Sequence, residues 1–134
     1  MKIGLYYIGK PRSREANLLA EEYAKRIAHF CRFEMVEVKN EKAMPPAAKA
    51  FRVVLDPAGR MMTSEGLAEL LEAKSGEIHF CIGGADGFSD AFRAEADALL
   101  SLSKMTLPHE LARVMLAEQV YRAFTILRNH PYPR

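Results

Sequence analysis

The stretch "EIHFCIGGADGFSDAF", residues 77–92, decides the fold class. Its first six residues, 77–82, are mostly apolar on both faces of an extended chain, which is typical of a strand that is covered on both sides. A glycine-rich turn follows, and Ser89 or Asp90 can then cap a helix. A buried strand that passes through a short turn into a helix is the repeating unit of α/β proteins with a parallel sheet.

The rest of the chain repeats this alternation. The pattern predicts strands at 2–8, 33–38, 51–55, 77–82 and 103–107. It predicts helices at 13–30, 64–74, 90–100 and 109–129, and all seven prolines lie outside these segments. We therefore expect one domain over residues 1–134, a parallel-sheet α/β/α sandwich with right-handed crossovers.

One connection does not fit a simple crossover. Residues 39–50, "KNEKAMPPAAKA", join two predicted strands, but the Pro45–Pro46 pair excludes a regular helix. A parallel crossover needs about a dozen residues or more. Either the two strands pair with other partners, or the crossover is an extended loop.

Composition sets the broad class of protein. Hydrophobic residues make up 49% of the 134-residue chain and charged residues 27%, which is ordinary for a globular protein. A formal net charge of +2 is too small to indicate nucleic-acid binding without a local basic patch. No apolar run is long enough to span a bilayer, and no signal-peptide cleavage site follows the N-terminus. Cys31 and Cys81 lie in apolar segments, so we expect reduced thiols and a cytoplasmic location.

The last predicted helix is apolar around most of its circumference. Its apolar residues are Leu111, Val114, Met115, Leu116, Val120, Tyr121, Phe124, Ile126 and Leu127. They leave a narrow polar stripe of Glu118, Arg122, Thr125 and Asn129. A helix on one sheet face needs an apolar stripe of only about 100°. We therefore expect a second surface to cover this helix, and a second copy of the chain is the simplest one; the alternative is a helix sunk in its own core.

Three loops should meet at one edge of the sheet, because each follows a predicted strand. They are "DPAG" (56–59), "GGADGFS" (83–89) and "LPH" (107–109). Ligands of open α/β sheets bind at that edge. The glycine spacing is not GxGxxG, and no acidic residue stands about 20 positions later to hold a ribose, so a dinucleotide site is disfavoured. An ordinary tight turn before a helix is the alternative.

Basic and histidine residues give further candidates. Lys10, Arg12 and Arg14 occupy another loop after a strand, where they could hold phosphate. His109 falls in the first turn of the last helix, where the helix dipole favours the neutral imidazole and so a proton or hydrogen-bond acceptor. It could instead satisfy free backbone groups at the helix start.

The tripeptide "HFC" occurs twice, at 29–31 and 79–81. Two His/Cys pairs could form a tetrahedral zinc site. One pair falls at a predicted helix end and the other within a strand, and no CxxC or HxxxH spacing lies nearby. We therefore predict no metal. Cys81 has no basic neighbour in sequence that would lower its thiol pKa, which disfavours a nucleophile.

Several motifs together resemble one family. "IGGADG", "LSKMTLPHELARVMLAEQVYRAF" and "NHPY", in this order, with "MKI…IGK" and "EYAKR" upstream, resemble the bacterial ribosomal large-subunit pseudouridine methyltransferases of the SPOUT class. The resemblance covers nearly the whole chain. It implies a C-terminal trefoil knot, S-adenosyl-L-methionine as cofactor, and methylation of N3 of a pseudouridine in 23S rRNA. It also implies a homodimer that acts on the assembled ribosome, with no membrane partner.

The resemblance also implies the residues that hold the cofactor in the knot loops, largely through backbone groups and apolar contacts. These are Leu55, Gly83, Gly84, Leu102, Ser103, Lys104, Met105, Thr106 and Leu107. A ligand that carries adenine and a sulfonium needs an apolar slot with a few backbone donors and acceptors, which agrees with the pattern of three converging loops.

The tail "NHPYPR" then belongs to the expected active site, completed across the dimer. Arg stays protonated, so Arg122 or Arg134 would hold phosphate or a developing oxyanion, not act as the base. Tyr132 could stack on the target base or donate a hydrogen bond, and His109 is the candidate proton acceptor.

This chain departs from the family pattern at two places. Pro133 stands where relatives have a histidine, and residues 39–50 stand where relatives have a helix-forming segment. The departures leave open an alternative, a relative that binds rRNA or cofactor without catalysis. A flavodoxin-like redox domain is a third reading, disfavoured because the first loop is not rich in Ser and Thr.

Overall fold

The computed structural model describes residues 1–132 as a five-stranded sheet with helices on both faces. Its strands are β1 (Lys2–Ile8), β2 (Arg32–Val38), β3 (Phe51–Arg60), β4 (Glu77–Ile82) and β5 (Ala98–Leu100). Its helices are α1 (Arg14–Ile27), α2 (Ser64–Ala73), α3 (Asp90–Ala94) and α4 (His109–Leu127), and two 3₁₀ turns occupy Glu41–Ala43 and Ala47–Lys49. The strand order is β2-β1-β4-β3-β5 and every pairing is parallel, which confirms the predicted parallel sheet.

The fifth strand is not where the sequence pattern put it. Residues 103–107 form a loop, and β5 lies inside the segment predicted as the helix 90–100. The cause is Asp97, whose carboxylate accepts the Arg52 N–H at 2.7 Å and whose own N–H donates to the Arg52 carbonyl at 2.9 Å. These bonds dock the chain on β3. Contacts with a distant strand thus override the helix propensity of an Ala- and Leu-rich segment.

Residues 101–108 form an irregular loop after β5, because serine side chains bond to nearby backbone groups. The Ser101 hydroxyl donates to the Ser103 carbonyl at 2.9 Å, and the Met105 N–H donates to the Ser103 hydroxyl at 3.0 Å. Local bonds of this kind compete with strand pairing and turn the chain. The loop ends at Pro108, directly before α4.

The connection 39–50 crosses the sheet instead of joining neighbouring strands. β2 lies at one edge, and β1 and β4 stand between it and β3. The connection has only short 3₁₀ turns and no α-helix, as the proline pair predicted. Both alternatives for this segment are therefore confirmed: β2 and β3 pair with other strands, and the crossover between them is an extended connection.

The two helical layers differ in thickness. α1, α2 and α4 bury the main core on one sheet face, around Leu5, Phe80 and Leu116. The other face is covered by α3 and the 39–50 connection, around a smaller core of Tyr6, Met44, Val54, Cys81 and Phe92. The predicted sandwich is therefore confirmed, with a thin second layer where the chain lacks a helix.

α4 lies between α1 and α2 of the same chain and is buried on most sides, which agrees with the alternative of a helix sunk in its own core; coverage by a second copy stays a prediction. Thr125, assigned from sequence to the polar stripe, is 1% exposed, and its hydroxyl donates to the Arg122 carbonyl at 2.6 Å. Thr125 can be buried because its hydroxyl keeps a hydrogen-bond partner inside the helix, and this explains why the sequence pattern placed it wrongly on the polar stripe. The face of α4 that stays open carries Leu111 and Met115, which are 50% and 47% exposed. The trefoil knot stays a prediction of the family resemblance.

Candidate active site

A pocket of about 380 Å³ lies at the carboxyl ends of β4 and β5 and beside the middle of β3. Three segments form it: residues 55–57 of β3, the glycine turn after β4, and the 101–108 loop with the start of α4. Residues 56–59, predicted as a loop after a strand, lie within β3, where the pairing with β5 is irregular. The lining is mostly apolar side chains and backbone. The lining residues are Leu55, Asp56, Pro57, Ile82, Gly83, Gly84, Ala85, Gly87, Leu100, Ser101, Leu102, Ser103, Met105, Thr106, Leu107, Pro108, His109 and Ala112. A pocket of this size and lining suits a small organic ligand.

Glycine is required in the turn after β4 for two reasons. Gly87 has φ +69°, a left-handed conformation that other residues adopt rarely, and its N–H donates to the Gly84 carbonyl at 3.1 Å. A Cβ on Gly83 would lie 3.2 Å from the Phe88 ring and 3.3 Å from the Gly87 backbone. The pocket wall at this turn is therefore bare backbone, which lets a ligand approach main-chain donors and acceptors.

Asp56, an acid in the pocket wall, is bonded to other groups of the protein. The Asp56 carboxylate accepts the Ala58 N–H at 2.8 Å through one oxygen and pairs with Arg93 through the other. Arg93 belongs to α3, so this ion pair ties β3 to the short helix that follows the glycine turn. Sequence analysis did not single out Asp56, and only its place after a predicted strand could have suggested it.

Most residues assigned to the cofactor by resemblance meet around this pocket. Leu55, Gly83, Gly84, Leu102, Ser103, Met105, Thr106 and Leu107 line it, whereas Lys104 is exposed and does not. Met105 is 79% exposed at the rim. Their juxtaposition is a feature of the fold, and their role toward a cofactor stays a prediction.

His109 stands between the pocket and the basic loop. It lines the main pocket and also a cavity of about 10 Å³, which it shares with Tyr7, Gly9, Glu110 and Arg113 among others. The predicted first-turn position of His109 is confirmed, since α4 begins at this residue. His109 is therefore a residue shared by the candidate ligand site and the cavity beside the basic loop.

The basic loop after β1 is fastened to the start of α4. Lys10, Arg12 and Arg14 are all exposed. The Arg12 and Ser13 N–H groups donate to the Glu110 carboxylate at 2.8 and 2.9 Å. These bonds, from Ser13 first and Arg12 second, hold the pKa of Glu110 below its ordinary value. Glu110 stays ionised at neutral pH as a result.

Arg113 is a buried cation that sequence analysis did not identify. It is 2% exposed, its guanidinium lies 4.1 Å from the Tyr7 ring centroid, and it donates to the Asn17 side chain at 2.8 Å. Its position beside Val114 and Ala117, in a helix that is apolar around most of its circumference, was the available signal. Arg113 braces the start of α4 against β1 and α1.

Arg122 and Tyr132 lie at the opposite end of α4 from His109. Arg122 is thirteen positions after His109, which is about 20 Å along the helix axis. Arg122 pairs with Glu118 at 2.7 Å and lies 4.8 Å from the Tyr132 ring centroid. The Tyr132 hydroxyl donates to Glu118 at 2.9 Å. A single chain therefore does not bring these predicted residues to the pocket, and Arg134 lies outside the described residues.

The family follows from the comparison with known proteins. A family model described as "Predicted SPOUT methyltransferase" matches residues 1–133. The chain belongs to the SPOUT methyltransferase family. The ribosomal RNA large subunit methyltransferase H of Solibacter usitatus is 49% identical over 100% of both chains. The protein of that name from one strain of Thermus thermophilus is 45% identical over 100% of this chain and 99% of its own length.

Solved structures show the same fold at low sequence identity. A probable methylase family protein of Haemophilus influenzae Rd KW20 matches with a TM-score of 0.62 at 14% identity, over 99% of this chain and 71% of that one. A Legionella pneumophila protein, solved with its cofactor SAM bound, matches with a TM-score of 0.55 at 15% identity, over 92% of this chain and 66% of that one.

The remaining candidates from the sequence of this SPOUT methyltransferase are its two cysteines and a metal site. Burial raises the pKa of the Cys81 thiol to about 11, which keeps it protonated at neutral pH. Cys31 and Cys81 are free thiols. Within residues 1–132, no three His, Cys, Asp or Glu side chains are grouped closely enough to hold a metal ion. No helix in that range is long and apolar enough to cross a membrane.

Proposed function

We propose that this protein uses S-adenosyl-L-methionine to methylate N3 of a pseudouridine in 23S rRNA, acting on assembled ribosomes in the cytoplasm. The observation that carries the proposal is the apolar, backbone-lined pocket of about 380 Å³ at the strand ends of a SPOUT methyltransferase. Full-length relatives named ribosomal RNA large subunit methyltransferase H support the rRNA substrate. The Legionella structure with SAM bound supports the cofactor.

The residues of the pocket fit this cofactor. Gly83 and Gly84 offer bare backbone, and Leu55 with the 102–107 loop offers apolar surface. An adenine ring and a thioether chain need such a surface, with main-chain groups to fix their orientation. When bound, the cofactor supplies an electrophilic methyl group. In our proposal these residues would hold the cofactor in the pocket that His109 also lines.

The chain's own residues would then accept a proton from the base and bind the RNA phosphates. The N3–H of a uracil-type base must lose its proton before the nitrogen can accept a methyl group. His109 lines both the pocket and the small cavity beside the basic loop, so it is our candidate for accepting that proton or a hydrogen bond from the base. Lys10, Arg12 and Arg14 would hold the RNA backbone near it. Most of the rate enhancement would come from this positioning.

The negative charge that develops on the base needs a cation from elsewhere. Arg122 lies about 20 Å from His109 along α4, and Tyr132 lies beside Arg122, with its ring centroid 4.8 Å from the guanidinium. In our proposal a homodimer brings the tail of one chain, with Arg134, to the pocket of the other. The open face of α4, with Leu111 and Met115 half exposed, supplies an apolar surface for that contact. The family's trefoil knot is part of the same proposal.

Methyl transfer by the purified protein tests the function. With methyl-labelled cofactor and ribosomes from a strain that lacks the gene, we expect label in one pseudouridine of 23S rRNA, located by mass spectrometry. His109→Ala should lower kcat by about 100-fold if the imidazole accepts the proton. The same methylated nucleotide in strains with and without the gene would contradict the assignment.

A second candidate is a relative that binds without catalysis. Pro133, in place of the family's histidine, is the observation that favours it. This candidate predicts cofactor binding by calorimetry and rRNA binding, but no transfer of label under any condition of the same experiment.

A further inference from the structure

One carboxylate joins the two halves of the candidate site. Oε1 of Glu110 accepts both the Arg12 N–H at 2.8 Å and the Ser13 N–H at 2.9 Å. These partners are 98 and 97 residues away along the chain. Glu110 directly follows His109, which lines the main pocket. The bonds therefore connect the basic loop to the wall of the pocket.

The segment between β1 and the Glu110 bonds begins at a glycine and contains a proline. Gly9 has φ +100°, and its N–H bond to Val38 is long, at 3.4 Å. Pro11 separates Gly9 from the Glu110 contact and offers no N–H of its own. The Glu110 bonds act at the far end of this segment, where the chain enters α1. One turn along α4, Arg113 fixes the underlying helix against Tyr7 and Asn17.

The charge of Glu110 is of the wrong sign for a phosphate-binding loop. Lys10, Arg12 and Arg14 would attract RNA phosphates more strongly without an anion beside them. A carboxylate at this position therefore opposes RNA binding by its charge. Its hydrogen bonds have the opposite effect, because they fix two backbone N–H groups and so hold the cationic loop in one conformation. The two effects predict opposite results of mutation.

We propose that Glu110 is a positioning residue for the RNA substrate, which fixes the basic loop at a set distance from His109. The inference rests on the proposed function for the identity of the substrate. Geometry outweighs charge in this proposal: a free loop binds RNA less well even though it is more cationic. Glu110 does not touch the reacting atoms and acts only through Arg12 and Ser13.

Two substitutions at Glu110 separate geometry from charge. Glu110→Gln removes the charge but keeps an amide oxygen at the position of Oε1, which accepts both bonds. Glu110→Ala removes both. Glu15→Ala, in the exposed first turn of α1 beside the same loop, removes an equal charge without touching the Glu110 bonds and is the matched control.

The kinetic readout is the KM for ribosomes against kcat and cofactor affinity. Glu110→Ala should raise the KM about tenfold, with kcat and the cofactor Kd within about threefold of the wild type. Glu110→Gln and Glu15→Ala should leave the KM unchanged or lower it, because each removes one negative charge near phosphate. Equal or tighter ribosome binding by Glu110→Ala would overturn the proposal, as would a parallel loss of cofactor affinity.

A second readout does not depend on activity. Hydrogen exchange of the Arg12 and Ser13 amides should speed up in Glu110→Ala and stay slow in Glu110→Gln, while the melting temperature of both variants shows that they fold. Binding of a fluorescent rRNA fragment should weaken only in Glu110→Ala. If the wild type transfers no methyl group, the proposed function fails, and amide exchange with fragment binding still decides the role of Glu110. Unchanged exchange in Glu110→Ala would refute it.

Discussion

Gly59 shows how one residue position supports the pocket. A Cβ at Gly59 would lie 2.6 Å from the Leu99 carbonyl carbon and 2.8 Å from the Leu100 nitrogen. Both contacts are backbone atoms of β5, which cannot move aside as a side chain could. The absence of a side chain at this position therefore lets the end of β3 approach β5, and Leu55 and Leu100 of these strands line the pocket.

Gly59→Ala should therefore destabilise the protein and loosen the pocket together. Overpacking of this kind costs about 1–3 kcal/mol, which lowers Tm by roughly 5–10 °C in a domain of this size. Gly76→Ala is the matched control, since nothing lies within 4 Å of a Cβ there. Calorimetry of unfolding and of cofactor binding measures both effects. An unchanged Tm in Gly59→Ala would show that β5 shifts without cost.

Single residues at the site were predictable from sequence only when their role is local. His109 was found because Pro108 and the helix pattern place it in a first turn. Glu110 and Arg113 were missed, since their partners Ser13, Tyr7 and Asn17 are brought close only by the packing of α1 and β1 on α4. A charged residue on the inner face of a helix is the one visible sign of such a contact.

At the scale of elements, Glu41 joins the connection 39–50 to the start of α3. Its two carboxylate oxygens accept the Ser89 N–H at 2.8 Å and the Ser89 hydroxyl at 2.6 Å. Ser89 caps α3, directly after the glycine turn of the pocket. The hydroxyl bond first, and the N–H bond second, hold the pKa of Glu41 below its ordinary value.

The lowered pKa of Glu41 predicts a pH dependence of stability. An acid of this kind stabilises the fold above its unfolded pKa, about 4.3 for Glu, and the stabilisation is lost as the pH falls through the lower folded-state value. The free energy of unfolding of the wild type, measured in urea, should therefore decrease as the pH falls below about 4.3. Glu41→Gln should show a shallower decline there, whereas Glu69→Gln, an exposed acid on α2, should follow the wild type. Identical slopes in all three proteins would refute the contribution of Glu41.

Elements with a strong local pattern were predicted well. α4 was found within two residues of its end, and β1 and β4 with their observed bounds. The errors, 90–100 as a helix and 103–107 as a strand, concern segments whose structure depends on partners. Asp97 docks the first on β3, and serine bonds turn the second. Neither partner could be identified from local periodicity.

At the scale of the whole molecule, neither a knotted chain path nor the number of subunits can be predicted from local patterns. Strand periodicity predicted a parallel sheet, but not the order that separates β2 from β3. The all-round apolar character of α4 did indicate a second surface. In the structure, α1 and α2 cover much of α4, and one face of the helix stays open. This open face includes Leu111 and Met115, with Glu118 and Arg122 further along it.

A charge on this open face should separate the proposed dimer and stop methyl transfer. In Met115→Glu, two carboxylates would be desolvated near the two-fold axis, and the dimer Kd should rise on the order of 100-fold. Met61→Glu is the matched control, because Met61 is also 47% exposed but precedes α2. Sedimentation equilibrium gives the mass of each variant, and labelled transfer to ribosomes gives its activity. Activity should fall with the dimer fraction in Met115→Glu and recover at higher protein concentration. A fully active monomer would show that one chain completes its own site, and that Arg122 and Tyr132 act at a place other than the pocket.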